Sequence, residues 1–312
     1  MTTCNRMKIV AGGVCALALT ASHAEELRVG VDQACPMTGA TRAEFVAAPV
    51  VLAVAGVVLQ KVAGAAIERA AGYLKDDTSI TKTGYARVPN LVDSMPVTDR
   101  AGRDLMDAKG NKVYAPRMSA AYACVYGVVG NFGTPRDESA GDFTGLGLAM
   151  SDKLRALGLQ QAPSLYFEGL YEQPKSMPSV YSYTPQYLYY GDHLKSGGLF
   201  GEGKRDIGIT IELLKPSESS PLSNSVISLE ALKPGKDSTL DANYFKGRPL
   251  PWQKVPALSE NTPITIKVTV LETGKANTLD KALGEALAAK KDDLAQAIAN
   301  AVAPHGSGSG GK

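Results

Sequence analysis

The sequence predicts an α+β protein: an antiparallel β-sandwich-like core with a long apolar N-terminal helix and a C-terminal amphipathic helix. Between residues 164 and 272, apolar and polar side chains alternate in short runs, and loops rich in Ser, Pro and Gly separate these runs. Alternation of this kind is typical of half-buried antiparallel strands. Residues 45–67 contain only two polar side chains, and residues 279–302 carry apolar side chains at helical spacing. These three observations define the fold class.

The first 24 residues have the pattern of a cleaved signal peptide. Arg6 and Lys8 precede an uncharged apolar run at 9–20, and small residues occupy the third and first positions before Glu25. The run is too short to be a permanent membrane-spanning helix. We therefore expect export across a bacterial inner membrane, cleavage after Ala24, and residence in the periplasm or the medium. The alternative is that this stretch is a buried first helix or strand.

Removal of this leader leaves a neutral protein. The whole chain has 33 Lys and Arg against 31 Asp and Glu, and Arg6 and Lys8 are the only charged residues of the leader. A neutral chain has no global field that attracts nucleic acid, and no basic run with interleaved aromatics is present, so a nucleic-acid partner is not expected.

The predicted segments are 1–24, the signal peptide; 25–78, a strand and the long apolar helix; 79–303, a β-rich domain that ends in an amphipathic helix; and 304–312, a flexible tail.

Two cysteines, Cys35 and Cys124, remain after cleavage. An even pair in an exported protein predicts a disulfide. Loop-closure entropy for a loop of roughly 90 residues gives a stabilisation of about 4–5 kcal/mol. The alternative is a pair of unlinked buried thiols.

The N-terminal part predicts a strand at Glu26–Asp32 followed by the long helix Phe45–Ile67. The first half of this helix is apolar on all sides, which implies burial in protein or in lipid. In the second half Lys61, Glu68 and Lys75 recur every seven residues and mark one polar stripe. The segment therefore predicts either a helix buried in the protein or a membrane-inserting helix, for which its length is suitable.

The remaining elements follow from the same patterns. Strands are predicted at 85–91, 112–114, 120–129, 207–214, 227–231 and 264–270, and helices at 151–157 and 279–302.

Five tyrosines within ten residues are the candidate contact residues: Tyr181, Tyr183, Tyr187, Tyr189 and Tyr190. In a strand pair around Pro185, the first two would share one face, and Tyr187 and Tyr189 would share one face. Exposed, such a row could bind a protein or a glycan through stacking. The alternative is structural, because tyrosine favours strands and cross-strand aromatic pairs stabilise sheets.

Groups suited to catalysis or metal binding are scarce. After cleavage, only His193 and the tail residue His305 supply imidazoles, and His193 is expected to lie in an exposed loop. The run from Gly198 to Arg205 resembles a phosphate-binding loop, but Arg205 replaces the Ser or Thr that would hold magnesium, and a strand pattern follows. The pattern therefore predicts an ordinary connecting loop.

Acidic pairs offer no stronger candidate. Glu168 and Glu172 would lie about 13 Å apart along a regular strand, which is too far for a glycosidase pair. Asp237 and Asp241 lack the ligand density that calcium requires. Both pairs are interpreted as solvated charges, and no metal site and no cofactor is predicted.

These observations favour an exported, non-catalytic cell-envelope protein with a binding or structural role. The alternatives are a membrane-anchored or membrane-inserting protein that uses Phe45–Ile67, and an exported hydrolase.

Overall fold

The protein is described by a computed structural model. The structure describes residues 25–42, 79–98, 102–133, 152–174, 179–194 and 203–273, apart from positions 153, 217, 219, 247, 249, 251, 257 and 259–261. The predicted signal peptide, the helix Phe45–Ile67, the C-terminal helix and the tail lie outside these residues.

One sheet of six strands contains most of the aromatic side chains among the described residues. Its strand order is β1-β5-β6-β7-β10, with β11 also paired to β7, and all the pairings are antiparallel. The strands are β1 Glu26–Asp32, β5 Cys124–Gly130, β6 Leu165–Glu172, β7 Val180–Tyr190, β10 Thr239–Asp241 and β11 Gln253–Lys254. The predicted first strand therefore has the same bounds as β1.

A second sheet of four strands faces the first. Its order is β2-β12-β8-β9, again fully antiparallel. The strands are β2 Ser79–Val88, β8 Arg205–Leu214, β9 Ser223–Leu232 and β12 Ile264–Thr273. Ile264, Ile266, Val268 and Val270 are all buried, and the residues between them are partly exposed, as their alternation predicts.

The two sheets enclose one apolar core, to which both contribute buried side chains. At one corner β1 passes directly over β2. A side chain at Gly84 would overlap the carbonyl oxygen of Leu27, so the close approach of these strands requires glycine. The described part of the chain is therefore mostly antiparallel β-structure, as predicted, and the long helices of the predicted fold class fall outside it.

A two-stranded ribbon leaves this core. Its strands are β3 Val92–Pro96 and β4 Tyr114–Met118, which pair only with each other among the described strands. We call residues 92–118 the arm. Leu91 and Met118 are fully buried at its base. The strand predicted at 120–129 is shorter than expected, because Ala120–Tyr122 forms a 3-10 turn and β5 begins at Cys124.

The chain enters and leaves the four-stranded sheet at one end. Ser79, the first residue of β2, is paired with Thr273, the last residue of β12. We call this the polar end, since Glu25, Tyr190 and Glu272 also meet there. The opposite end, where Val88 pairs with Ile264, carries the arm and the disulfide.

Candidate functional site

The tyrosine-rich segment forms a single strand, β7, rather than a strand pair around Pro185. All five predicted contact tyrosines are buried. Their exposed fractions are 1% for Tyr181, 0% for Tyr183, 9% for Tyr187, 3% for Tyr189 and 0% for Tyr190.

A bulge divides these tyrosines between the two faces of the strand. Glu168 of β6 pairs with Tyr187, whereas Gly169 pairs with Pro185, so Gln186 is an extra residue in β7. Proline has no N–H for a regular ladder, which makes this a suitable place for a bulge. Tyr181, Tyr183 and Tyr190 therefore belong to the core between the sheets, while Tyr187 and Tyr189 pack on the other face with Tyr166, Phe132 and Leu159.

Several aromatic rings in this sheet lie on glycines of a neighbouring strand. A side-chain carbon at Gly169 would be 2.5 Å from the Tyr183 ring, and one at Gly127 would overlap Phe167. Each ring thus covers backbone that the glycine leaves bare, an arrangement that stabilises glycine-containing strands. The aromatic residues here form part of the sheet packing.

Tyr181 and Tyr190 also tie the two sheets together. The Tyr181 hydroxyl bonds to Ser223 of β9 and donates to Gln253 Oε1 at 2.9 Å. At the other end of β7, the Tyr190 hydroxyl donates to Glu272 of β12 at 3.1 Å. Burial, and then the Glu272 charge, raise the pKa of Tyr190 far above its ordinary value. Such contacts are the ones expected if the tyrosines stabilise the packing of the sheets. A role of the five tyrosines in binding a partner stays a prediction.

The predicted disulfide joins Cys35 of the loop after β1 to Cys124 of β5. Beside it lies Glu168, which is fully buried and not solvated, so that part of the sequence interpretation is wrong. Its carboxylate accepts the backbone N–H groups of Met37 and Thr38, each at 2.8 Å, and the Tyr166 hydroxyl at 2.6 Å. Glu168 therefore fixes the loop that carries Cys35.

This cluster also contains three atoms of metal-ligating type. Among the residues that the structure describes, Cys35 Sγ, Cys124 Sγ and a Glu168 oxygen lie within 4.8 Å of one another. Both sulfurs are used in the disulfide, and the carboxylate already accepts three donors. The arrangement is that of a structural anchor, since metal binding to cysteine requires thiolates.

A second buried carboxylate, Glu272, organises the polar end. It lies 2.9 Å from His193 Nδ1 and accepts the Leu194 N–H at 2.5 Å, and Arg205 Nε is 3.6 Å away. His193 is therefore partly buried in an inter-sheet cluster, not the freely exposed loop residue that the sequence predicts; its side chain is 21% exposed. Because Glu272 and His193 are 79 positions apart, no local pattern could reveal the contact.

Glu25 lies at the same end. Its Oε1 accepts the Ser164 hydroxyl, and its carbonyl oxygen accepts Lys82 Nζ at 2.7 Å. Burial raises the pKa of the Glu25 carboxyl; the carboxylates of Asp192 and Glu272 raise it further, while Ser164 and Lys82 oppose the shift.

The structure also describes parts of two other candidates from the sequence analysis, the Gly198–Arg205 run and Asp241. β8 begins at Arg205, so the strand pattern that follows the Gly198–Arg205 run is confirmed, while residues 195–202 of the run and its neighbourhood lie outside the described residues. Asp241 caps the short helix Ala242–Phe245 by accepting the N–H groups of Asn243 and Tyr244.

Within the described part of the chain, the most exposed large apolar side chains lie on the arm, which the sequence interpretation did not identify as a candidate. Six large apolar side chains are markedly exposed among the described residues, and all but Tyr85 belong to the arm. The arm members are Met95 at 38%, Leu105 at 42%, Met106 at 55%, Val113 at 37% and Tyr114 at 56%.

Backbone hydrogen bonds hold the tip of the arm in a closed ring. Val97 N–H donates to Val113, Val113 N–H to Leu105, and Leu105 N–H to Val97, at 2.7–2.9 Å. Val97, Leu105 and Val113 are eight residues apart in the sequence. In each of the two segments between them, an Asp follows the first apolar residue by two positions and a Gly follows it by five, as Asp107 and Gly110 follow Leu105. Gly102 and Gly110 occupy equivalent places in the two segments, and both have positive φ. This spacing is the sequence signal that could have identified the arm.

The architecture defines a disulfide-linked protein of two packed antiparallel sheets with a projecting arm. Comparison with protein-family models, with curated proteins and with solved structures finds no match to this chain. Among the residues that the structure describes, no helix has the length and apolar character needed to cross a bilayer. The disulfide is consistent with an oxidising extracellular compartment.

Proposed function

We propose that the chain is an exported, non-catalytic binding protein of the cell envelope that contacts a protein partner through the arm. The observation that carries this proposal is the concentration of exposed large apolar side chains on residues 92–118. Contiguous exposed apolar surface is uncommon on proteins that act alone and marks interaction sites.

The charges of the arm favour a protein over nucleic acid or an anionic membrane. Residues 92–118 contain five basic and four acidic side chains. Such a balanced segment has little attraction for a polyanion. Recognition by this element therefore depends on apolar contact, and methionine and tyrosine side chains such as Met106 and Tyr114 are enriched at protein interfaces.

The arm offers side chains rather than a free strand edge. Pro96 ends β3 and Pro116 lies within β4. Prolines in both strands disfavour addition of another strand to the ribbon. The Asp107 carboxylate accepts the N–H groups of Lys109 and Asn111 at 2.8 and 2.9 Å, which fixes one of the turns at the tip. A pre-ordered tip loses little conformational entropy on binding.

The test places a photo-crosslinking amino acid at Met106 or Tyr114 in the bacterium that makes the protein, with exposed Thr83 and Lys233 as control positions. We expect one protein to be crosslinked from both arm positions and from neither control. The purified partner should bind the double variant Met106→Ser, Tyr114→Ser about 10–100-fold more weakly than wild type. Tyr85→Ser, which removes the exposed apolar side chain outside the arm, should leave binding unchanged.

Three results would overturn the proposal. In the first, the arm is crosslinked only to another copy of the chain. In the second, the arm binds lipid vesicles in a flotation assay and binds no protein. In the third, the double variant binds the partner as tightly as wild type does.

A further inference from the structure

Glu25, which would become the first residue after leader cleavage, is held from two sides. Lys82 Nζ donates to its carbonyl oxygen at 2.7 Å, and the Ser164 hydroxyl donates to its Oε1. Ser164 is itself fixed, because its carbonyl oxygen accepts the N–H groups of Gly191 and Asp192 at 2.9 and 3.2 Å. The start of the mature chain thus has a defined position beside the turn that follows β7.

The acceptors at this position are not all satisfied. Glu25 Oε2 is buried and has no hydrogen-bond donor among the described residues. An unpaired buried carboxylate oxygen is costly, since the water that it loses is not replaced. This atom needs a donor, and a positively charged donor would suit it best.

Among the described residues around Glu25, the carboxylates outnumber the fixed cations by three to two. The carboxylates of Asp192 and Glu272 act on Glu25 in addition to its own negative charge. The fixed cations facing them are Lys82, from β2, and Arg205, from β8. Among the described residues, Glu272 also contacts the ionisable side chains of His193 and Tyr190.

We propose that the polar end is a binding site for the α-ammonium group that cleavage between Ala24 and Glu25 releases. The inference rests on the export and leader cleavage included in the proposed function. While residues precede Glu25, its nitrogen is a neutral amide with one N–H. After cleavage it is a cation with three, and it balances the excess carboxylate and supplies donors where Glu25 Oε2 has none. Removal of the leader therefore stabilises the folded protein.

The experiment compares three forms of the chain: residues 25–312 with a free amino group, the same chain with an acetylated amino group, and residues 24–312. Acetylation removes the charge, and the Ala24 extension moves it by one residue. At pH 7 we expect the free form to unfold at a temperature higher by on the order of 2–4 °C. Neighbouring carboxylates favour the charged form of an amino group, so we expect the advantage to be full below about pH 8 and to be lost as the pH rises further.

Two substitutions separate this site from a general charge effect. Glu25→Gln should reduce the advantage of the free amino group. Glu26→Gln should not, because Glu26 is half exposed and pairs with Arg28 at the surface. Equal unfolding temperatures for the three forms, or equal effects of the two substitutions, would overturn the inference.

The two proposals can fail separately. Crosslinking from the arm tests binding at the opposite end of the molecule and does not depend on the amino group. If mass spectrometry of the protein from cells finds residues 1–24 still attached, then export by leader cleavage is wrong. The stability comparison of the purified chains still tests the ammonium site.

Discussion

Replacement of Glu168 by Gln should destabilise the protein substantially although the two side chains have nearly the same shape. Three donors converge on the carboxylate: the N–H groups of Met37 and Thr38 and the hydroxyl of Tyr166. An amide has only one acceptor oxygen, so its NH₂ group must face one of these buried donors. That donor loses a bond to a charged acceptor, at a cost of about 1.5–3 kcal/mol.

The other two bonds also weaken, because each changes from a charge-assisted bond to a neutral one of about half the strength. Relief from burying a charge offsets part of this loss. We therefore expect the free energy of unfolding to fall by about 2–4 kcal/mol, which corresponds to a decrease in Tm on the order of 10 °C.

Guanidinium chloride unfolding of the oxidised protein, followed by near-UV circular dichroism, measures this change. Hydrogen exchange should become faster at the amides of Met37 and Thr38, which locates the effect in the loop that carries Cys35. Glu172→Gln is the matched control: Glu172 lies on the same strand, is partly exposed, and accepts one side-chain bond from Thr184 that an amide oxygen can also accept. If Glu168→Gln unfolds at the same denaturant concentration as wild type, the anchoring role is wrong.

Three other perturbations test the packing of the sheets. Gly169→Ala should cost about 1–3 kcal/mol, because the new methyl group would lie 2.5 Å from the Tyr183 ring and 2.7 Å from the Thr184 carbonyl oxygen; Gly235→Ala, where the space is open, should not destabilise. Replacement of Cys35 and Cys124 by Ser should cost about 4–5 kcal/mol, since the bond links residues 89 positions apart. Burial raises the pKa values of several tyrosine hydroxyls, five of them far above the ordinary value, so the contribution of these five to stability is full below about pH 10 and is lost at higher pH. They are Tyr166, Tyr171, Tyr181, Tyr183 and Tyr190.

The readouts for these perturbations are distinct. Denaturant midpoints compare each glycine or cysteine variant with wild type, and a Gly169→Ala protein as stable as Gly235→Ala would contradict the proposed ring packing. For the tyrosines, absorbance at 295 nm during an alkaline titration should increase together with loss of the near-UV signal. Ionisation of these five side chains in the folded protein would contradict their burial.

Strands that alternate regularly could be predicted from the sequence because their pattern is local. The bounds of β1 follow from its alternating residues, and β12 contains the predicted run 264–270. The link between Cys35 and Cys124 could be predicted because they are an even pair in a chain whose first 24 residues have the pattern of an export leader. The start of β5 could not be predicted, since apolar residues favour neither the strand nor the 3-10 turn at Ala120–Tyr122.

The buried carboxylates could not be predicted, because their partners are distant in sequence. Glu168 bonds to residues about 130 positions before it, and the strand alone suggests a solvated side chain. The bulge at Gln186 could not be predicted either. Pro185 indicates an irregularity in the strand, but it does not determine which tyrosines face the core. The arm, in contrast, could have been predicted, because an apolar residue, an Asp and a Gly recur in it at an interval of eight residues, with Gly102 and Gly110 at equivalent positions.

The pairing of Ser79 with Thr273 determines how far the polar end lies from the arm. This pair lies at the polar end, while the arm departs beyond Val88, at the far end of the same ten-residue strand. A strand of that length spans about 33 Å. Thr273 and the base of the arm are therefore separated by the whole length of the sheet. A partner bound to the arm and the amino group at Glu25 would lie toward opposite ends of β2, and the number of residues in this strand sets the distance between them.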